Sequence, residues 1–298
     1  MKRYIGFIAI VLLLSCTNGE SEEDVQYKIV CTTGMIGDAV VNLVDSNCVV
    51  HTLMGPGTDP HLFKPTKQSL DLLSDADLIV ANGLHLEGRM QEILEKMSRN
   101  TRVIFIGEGV SEENLLIAEG SESIPDPHIW FDVSLWNTAV SYLADELRQV
   151  GRLNEEKAEA YHLQLAELEV VAVNILSEIP EEKRVLITAH DAFSYFGEAY
   201  NIEVIGLQGI STVSEYGIRD VTNMVNDIVE REIPAVFVES SISTRSIEAV
   251  IEGCEQKGFE LKLGGTLYSD ALGTDGSGAE TYIDMVKHNV RTITNALK

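Results

Sequence analysis

Basic residues are scarce in this chain. Its 22 Lys and Arg stand against 47 Asp and Glu, a formal net charge of −25 over 298 residues. Nucleic-acid binding needs a basic face to neutralise phosphates, so this balance excludes it. A field of this sign concentrates cations near the surface instead. Cysteine is equally sparse: Cys16, Cys31, Cys48 and Cys254 are the whole set, and no pair has C-x-x-C spacing. That excludes a thiolate metal site and a disulfide framework. Cys31 and Cys254 read as small buried hydrophobes, and a Cys31–Cys48 bridge is the one pairing left open for an oxidising compartment. Beyond the first residues, no apolar run is long enough to cross a membrane. What is present is 45% hydrophobic and 23% charged residues, the make-up of a packed globular protein rather than a disordered one.

The N-terminus indicates the compartment. Lys2 and Arg3 precede an apolar run from Tyr4 to Leu14, and Ser15 then meets Cys16. A short positive region, a short apolar core and a small residue describe a secretory signal. A Cys directly after the break resembles the bacterial lipoprotein signal, in which that Cys becomes the lipidated N-terminus. The expected division is a signal at 1–15, a polar and acidic tether at 16–26, a first lobe at 27–153, a linking helix at 154–180 and a second lobe at 181–298.

After the tether, apolar strand-like runs alternate with helical patterns. Strands are expected at 27–33, 48–54, 78–83 and 102–107, and again at 184–190, 203–209, 235–240 and 259–265. Helical stretches fall between them, the βαβ signature of parallel sheets covered by helices. Between the two sets, residues 154–179 contain no Gly and no Pro. At 1.5 Å per residue they would make a helix of roughly 39 Å, capped by Asn154. The fold class is therefore α/β: two parallel-sheet lobes joined by one long rigid helix.

Asp-Pro-His occurs twice, at Asp59–His61 and Asp126–His128. Proline fixes its own φ and biases the residue before it towards extended backbone, so each histidine is presented on a restricted path. In open α/β sheets, ligands bind beyond the carboxyl ends of the strands. His61 follows the second strand, His128 follows the fourth, His190 ends the fifth and Asp270 follows the last. These four residues, separated by 67, 62 and 80 positions, form no short motif, and their shared strand-end location is what groups them. Three imidazoles and a carboxylate suit a borderline divalent cation. Asp59, Asp126 and Glu239 are candidates for orienting the imidazoles, with Glu239 the strongest. His51, His162 and His288 read as structural or surface residues, and His85 as a marginal cleft residue. Asp191 is expected to cap the helix after it.

Seven segments carry a resemblance to a known family: GPGTDPHLFKPT (55–66), NGLHLEG (82–88), DPHIWFD (126–132), TAHDAFSYFG (188–197), IGLQGIST (205–212), FVESSIS (237–243) and LYSDALG (267–273). The chain resembles the zinc- and manganese-binding solute-binding lipoproteins of ABC importers, in their TroA-like branch, over essentially its whole mature length. The resemblance implies metal ligation by His61, His128, His190 and Asp270 in an interlobe cleft. It also implies a lipid anchor on Cys16 on the extracytoplasmic side of a bacterial membrane. Its partners would be an ABC permease and its ATPase subunit, and the receptor itself a monomer. The family's third ligand is His or Glu, Glu being typical of manganese-dedicated members. His190 therefore favours Zn2+ over Mn2+ on ligand softness. Many zinc-dedicated relatives carry a His-rich loop before the second motif, whereas residues 112–125 of this chain are acidic and contain no histidine.

The expected function is a receptor, not an enzyme, that captures Zn2+ (alternatively Mn2+) and delivers it to the permease. The strut helix should permit only a small tilt between lobes. Two rivals are a zinc hydrolase and a metal-stabilised surface adhesin. The hydrolase needs an open water position and a nearby base, which a fourth ligand at Asp270 would deny.

Overall fold

The computed structural model describes residues 26–118, 121, 123–213 and 216–298, so the signal and all but the last residue of the tether, Cys16 included, lie outside the described residues. The first sheet has four parallel strands, β1 (Tyr27–Cys31), β2 (Cys48–Thr52), β3 (Leu78–Ala81) and β4 (Arg102–Phe105), in the order β2-β1-β3-β4. Helices α1 (Gly34–Leu43), α2 (Lys67–Ser74) and α3 (Gln91–Met97) make the crossovers. Parallel strands covered on both faces need continuous apolar runs, and every residue of the Leu-Ile-Val-Ala strand β3 is buried. Thr66 caps α2, accepting the Ser69 N–H while the Ser69 hydroxyl accepts from the Thr66 N–H.

The second lobe repeats the pattern in two parallel pairs, β5 (Val185–His190) with β6 (Glu203–Gln208) and β7 (Ala235–Glu239) with β8 (Lys262–Leu267). Strands β5 and β7 lie side by side between them. Helices α6 (Ser194–Tyr200), α7 (Ile218–Arg231), α8 (Arg245–Gln256) and α9 (Tyr282–Leu297) complete it. The last strand begins three residues later than its apolar pattern suggests, because Phe259 is used to close α8. Gly258, at φ +77°, reverses the chain, and the Phe259 N–H reaches back to the Cys254 carbonyl. This is the left-handed helix stop that glycine favours.

Between the lobes run α4 (Val133–Gln149) and the long α5 (Glu155–Leu176), capped by Asp132 and Asn154 respectively. The long helix ends three residues before the expected 179, since Pro180 disfavours helical backbone at the residue before it. It packs against α4, α9 and α1 through Tyr161, Leu165, Leu168, Ala172 and Leu176. One apolar cluster runs from Ile29 and Cys31 in the first sheet through Trp136 and Leu165 to Phe193, Phe237 and Leu297 in the second lobe. A shared core of this kind resists a wide hinge opening, because interiors are close-packed and do not deform smoothly.

The open cysteine pairing resolves against a bridge: Cys31, Cys48 and Cys254 are all free. In the β1–β2 register Cys48 faces Tyr27, and Cys31 faces Thr52. Four residues along a strand is roughly 13 Å, about twice the Cα separation a disulfide tolerates. Among the described residues no helix is long and apolar enough to cross a membrane.

Candidate metal centre

The strand ends bring four side chains from distant parts of the chain to one point. His61 sits after β2, His128 after β4 in a turn ahead of α4, His190 is the last residue of β5, and Asp270 lies three residues beyond β8. One ligand atom from each lies within 4.8 Å of every other, and all four residues are buried. His61 Nε2 is 3.3 Å from His128 Nε2 and 3.9 Å from Asp270 Oδ2. His128 Nε2 is 3.6 Å from Asp270 Oδ1, and His190 Nε2 is 3.4 Å from Asp270 Oδ2. Tetrahedral donors at zinc bond lengths stand roughly 3.4 Å apart, so the spacing fits one small cation. The two oxygens of Asp270 face different imidazoles, which leaves the carboxylate able to bind through one oxygen or both.

The outer faces of two imidazoles are held by carboxylates. Glu239, the last residue of β7, places Oε2 2.6 Å from His190 Nδ1, and its Oε1 accepts the His190 backbone N–H at 2.9 Å. Asp126 does the same for His128, with Oδ1 2.7 Å from Nδ1 and 2.9 Å from the backbone N. Both arrangements point Nε2 into the centre, the usual way a carboxylate fixes a ligand imidazole. Asp126 is thus as well placed as Glu239, although the sequence ranks it lower because an Asp before Pro also reads as a turn former. Asp59 differs: its Oδ1 accepts the N–H groups of His61 and Leu62, and it orients the loop rather than the ring.

Electrostatics follow from this geometry. Burial holds His61 down to about 4, with Asp270 opposing, so its ring is neutral at physiological pH. Burial would also lower His190, but the Glu239 and Asp270 carboxylates outweigh it and raise this imidazole well above its ordinary value. Asp270 is pushed up by burial and pulled further down by His190, His128 and His61, leaving it well below the usual carboxylate range. The centre therefore keeps a carboxylate charge and holds a proton on His190 when no cation competes.

The remaining histidines lie elsewhere. His162 on α5 meets Asn137, His288 on α9 meets the Thr266 carbonyl, and His51 lies within β2. His85 is exposed, contacts Gln91, and lines a separate cleft with Gly83, Glu87 and Phe105. Asp191 does not cap α6, which starts at Ser194 after Phe193; instead its carboxylate accepts the Ser194 hydroxyl. The sequence offers no hint of Glu87, which is buried and accepts from the Thr32 hydroxyl and the N–H groups of Asn82 and Gly83. These bonds hold an unusual turn in which Gly83, Leu84 and His85 all have positive φ.

Residues 29–296 match the family model described as zinc-uptake complex component A, periplasmic. The manganese-binding lipoprotein MntA of Bacillus subtilis is 42% identical over 279 residues, covering 92% of this chain and 91% of its own length. The zinc-binding protein TroA of Treponema pallidum is 41% identical over 273 residues, covering 90% and 88%. The solved structure of the T. pallidum periplasmic zinc-binding protein TroA superimposes with a TM-score of 0.88 at 40% identity, covering 91% of this chain and 99% of that one. Fe(III)-bound YtgA from Chlamydia trachomatis superimposes at 0.80 with 28% identity, covering 91% and 98%. With two α/β lobes around one long helix and a family match spanning nearly all the described residues, the chain belongs to the periplasmic zinc-uptake component A family of metal-transport solute-binding proteins.

Proposed function

We propose that this protein is the extracytoplasmic receptor of an ABC metal importer, and that His61, His128, His190 and Asp270 hold its cargo. The observation that carries the ligand assignment is the state of Asp270. Both of its oxygens are buried and are faced at 3.4–3.9 Å by three imidazole nitrogens. A buried carboxylate ringed by imidazoles is best satisfied by a cation that all four groups share. The cargo is Zn2+, with Mn2+ as the alternative. MntA of B. subtilis and TroA of T. pallidum divide between manganese and zinc in name, so the donor chemistry decides, and three imidazoles favour zinc.

The hydrolase reading is disfavoured by the same geometry. Asp270 supplies a fourth donor, and the nearest other carboxylates, Glu239 and Asp126, are already engaged with imidazoles. Cys16 carries the lipid anchor, the receptor acts as a monomer, and the permease with its ATPase subunit takes the ion. The test is a competition of Zn2+ and Mn2+ for chelator-stripped protein, followed by elemental analysis. Zinc is expected to win, and the double variant His61→Ala, His128→Ala to bind neither. Failure of the wild type to bind either metal, or full binding by the double variant, overturns the assignment.

A further inference from the structure

The two lobes are tied together unequally around the metal centre. On the His128 side the ties are many and buried. The Tyr195 hydroxyl donates to the Asp126 carbonyl and accepts the Leu116 N–H, Trp130 Nε1 donates to the Ser269 carbonyl, and the Tyr282 hydroxyl donates to the Trp130 carbonyl. The rings of Phe131 and Phe193 stack with centroids 4.1 Å apart. His128 is therefore fixed to the second lobe whatever the centre holds.

The His61 side has a different construction. The loop from Gly55 to Leu62 approaches the second lobe at Gly57, near the Ser240 carbonyl, and among the described residues the side-chain hydrogen bond that ties it there is made by Asp59. In that bond the buried Thr212 hydroxyl donates to Asp59 Oδ2 at 2.6 Å. Asp59 uses its two oxygens for different ends: Oδ1 shapes the turn that presents His61, and Oδ2 reaches across the cleft. Thr212 is anchored in turn, since its carbonyl accepts from Gln208 Nε2 at 2.7 Å. Gln208 ends β6 directly opposite His190 in the strand register. A continuous path thus links the turn carrying His61 to the strand carrying His190, through a single hydroxyl.

We propose that the Thr212–Asp59 hydrogen bond is the clasp that governs release of the bound cation. It makes Thr212 a positioning residue for the His61 loop. The inference rests on the receptor reading above and deepens it. With the His128 side locked into the shared core, the His61 loop is held across the cleft, among the described residues, chiefly by this exchangeable hydrogen bond. A hydroxyl donating to a carboxylate belongs to the stronger class of hydrogen bonds, whose loss weakens an assembly on the order of tenfold or more.

The test compares Thr212→Val, which keeps the shape and removes the donor, with Thr212→Ser, which keeps the donor. Zn2+-loaded full-length protein is mixed rapidly with excess chelator, and the dissociation rate is read alongside the equilibrium Kd. Thr212→Val is expected to release Zn2+ about tenfold faster and to weaken Kd by a similar factor, with Thr212→Ser within roughly twofold of wild type. Release from Thr212→Ser at close to the wild-type rate separates loss of the clasp from general damage to the fold. An unchanged release rate in Thr212→Val overturns the inference. So does a variant in which entry and exit accelerate equally and Kd stays put, because the hydroxyl would then be a passive lid. If wild-type protein binds no Zn2+, the receptor reading itself has failed; if it binds and Thr212→Val behaves like it, only the clasp has.

Discussion

Replacing Glu239 with glutamine tests how the second lobe prepares His190 for a metal ion. The substitution keeps the side chain's size but replaces one oxygen with an amide that donates. In the native arrangement Oε1 accepts the His190 backbone N–H at 2.9 Å and Oε2 stands 2.6 Å from Nδ1. If the glutamine keeps its oxygen on the backbone N–H, its amide faces Nδ1. The ring must then accept there and carry its hydrogen on Nε2, the atom needed by the cation. If the amide flips, two N–H donors confront each other. Either way one buried polar conflict appears, worth about 1–3 kcal/mol. Zinc affinity is then expected to fall roughly 10- to 100-fold, the usual scale for a partner behind a ligand imidazole.

Proton counting sharpens this test. Glu239 and Asp270 raise His190 well above its ordinary value, so the metal-free protein carries a proton there at neutral pH. That protonation stabilises the metal-free fold below the ordinary imidazole value, and the benefit is lost as pH rises through the raised one. Binding must expel the proton, so apparent affinity weakens by about tenfold for each pH unit below the raised value, and more steeply near pH 4 as His61 also protonates. Calorimetry in two buffers of different ionisation enthalpy should find roughly one proton released by the wild type and fewer by Glu239→Gln. Equal affinity and equal proton release in the two proteins would refute this role for the Glu239–His190 pair.

Two other substitutions probe the supports of the site. Glu87→Ala would leave the Thr32 hydroxyl and the N–H groups of Asn82 and Gly83 without their buried acceptor, next to two non-glycine residues at positive φ. We expect a loss of about 3 kcal/mol or more in denaturant unfolding, with metal stoichiometry unchanged in the folded fraction; a loss below about 1 kcal/mol would contradict it. Gly206→Ala would set a methyl group 2.5 Å from the Asp191 nitrogen and 2.7 Å from its Cα, directly after His190. The backbone at His190 must shift, and Zn2+ affinity measured by chelator competition should fall at least about tenfold, since metal donors tolerate errors of only ~0.2 Å; unchanged affinity would show that the shift is absorbed elsewhere.

The layout of this fold was legible because parallel strands buried on both faces demand uninterrupted apolar runs, and β3, β5 and β7 are buried along their whole lengths. The convergence of His61, His128, His190 and Asp270 was legible for a related reason: strand ends are where an α/β sheet leaves room for a ligand, and all four lie there. Boundaries were less so. The start of β8 depended on Phe259 closing a helix through its backbone, which no side-chain pattern encodes. The work of Asp126 was partly masked by its place before proline, where a turn already accounts for it. Glu87 and Thr212 were invisible for a deeper reason. Each closes a long-range hydrogen bond that only folding makes, Glu87 to Thr32 across 55 positions and Thr212 to Asp59 across 153.

The apolar cluster that runs from Ile29 to Leu297 has a consequence for the life of the protein once its cargo is gone. Lobes that share a core melt together, so a single cooperative transition should cover both of them. An ion bound at the seam then protects regions tens of ångströms away as much as the residues touching it. At a thousandfold excess over Kd that protection is about 4 kcal/mol. Loaded receptors would outlast empty ones wherever proteases patrol, and the standing number of carriers would come to track the supply of the metal they carry.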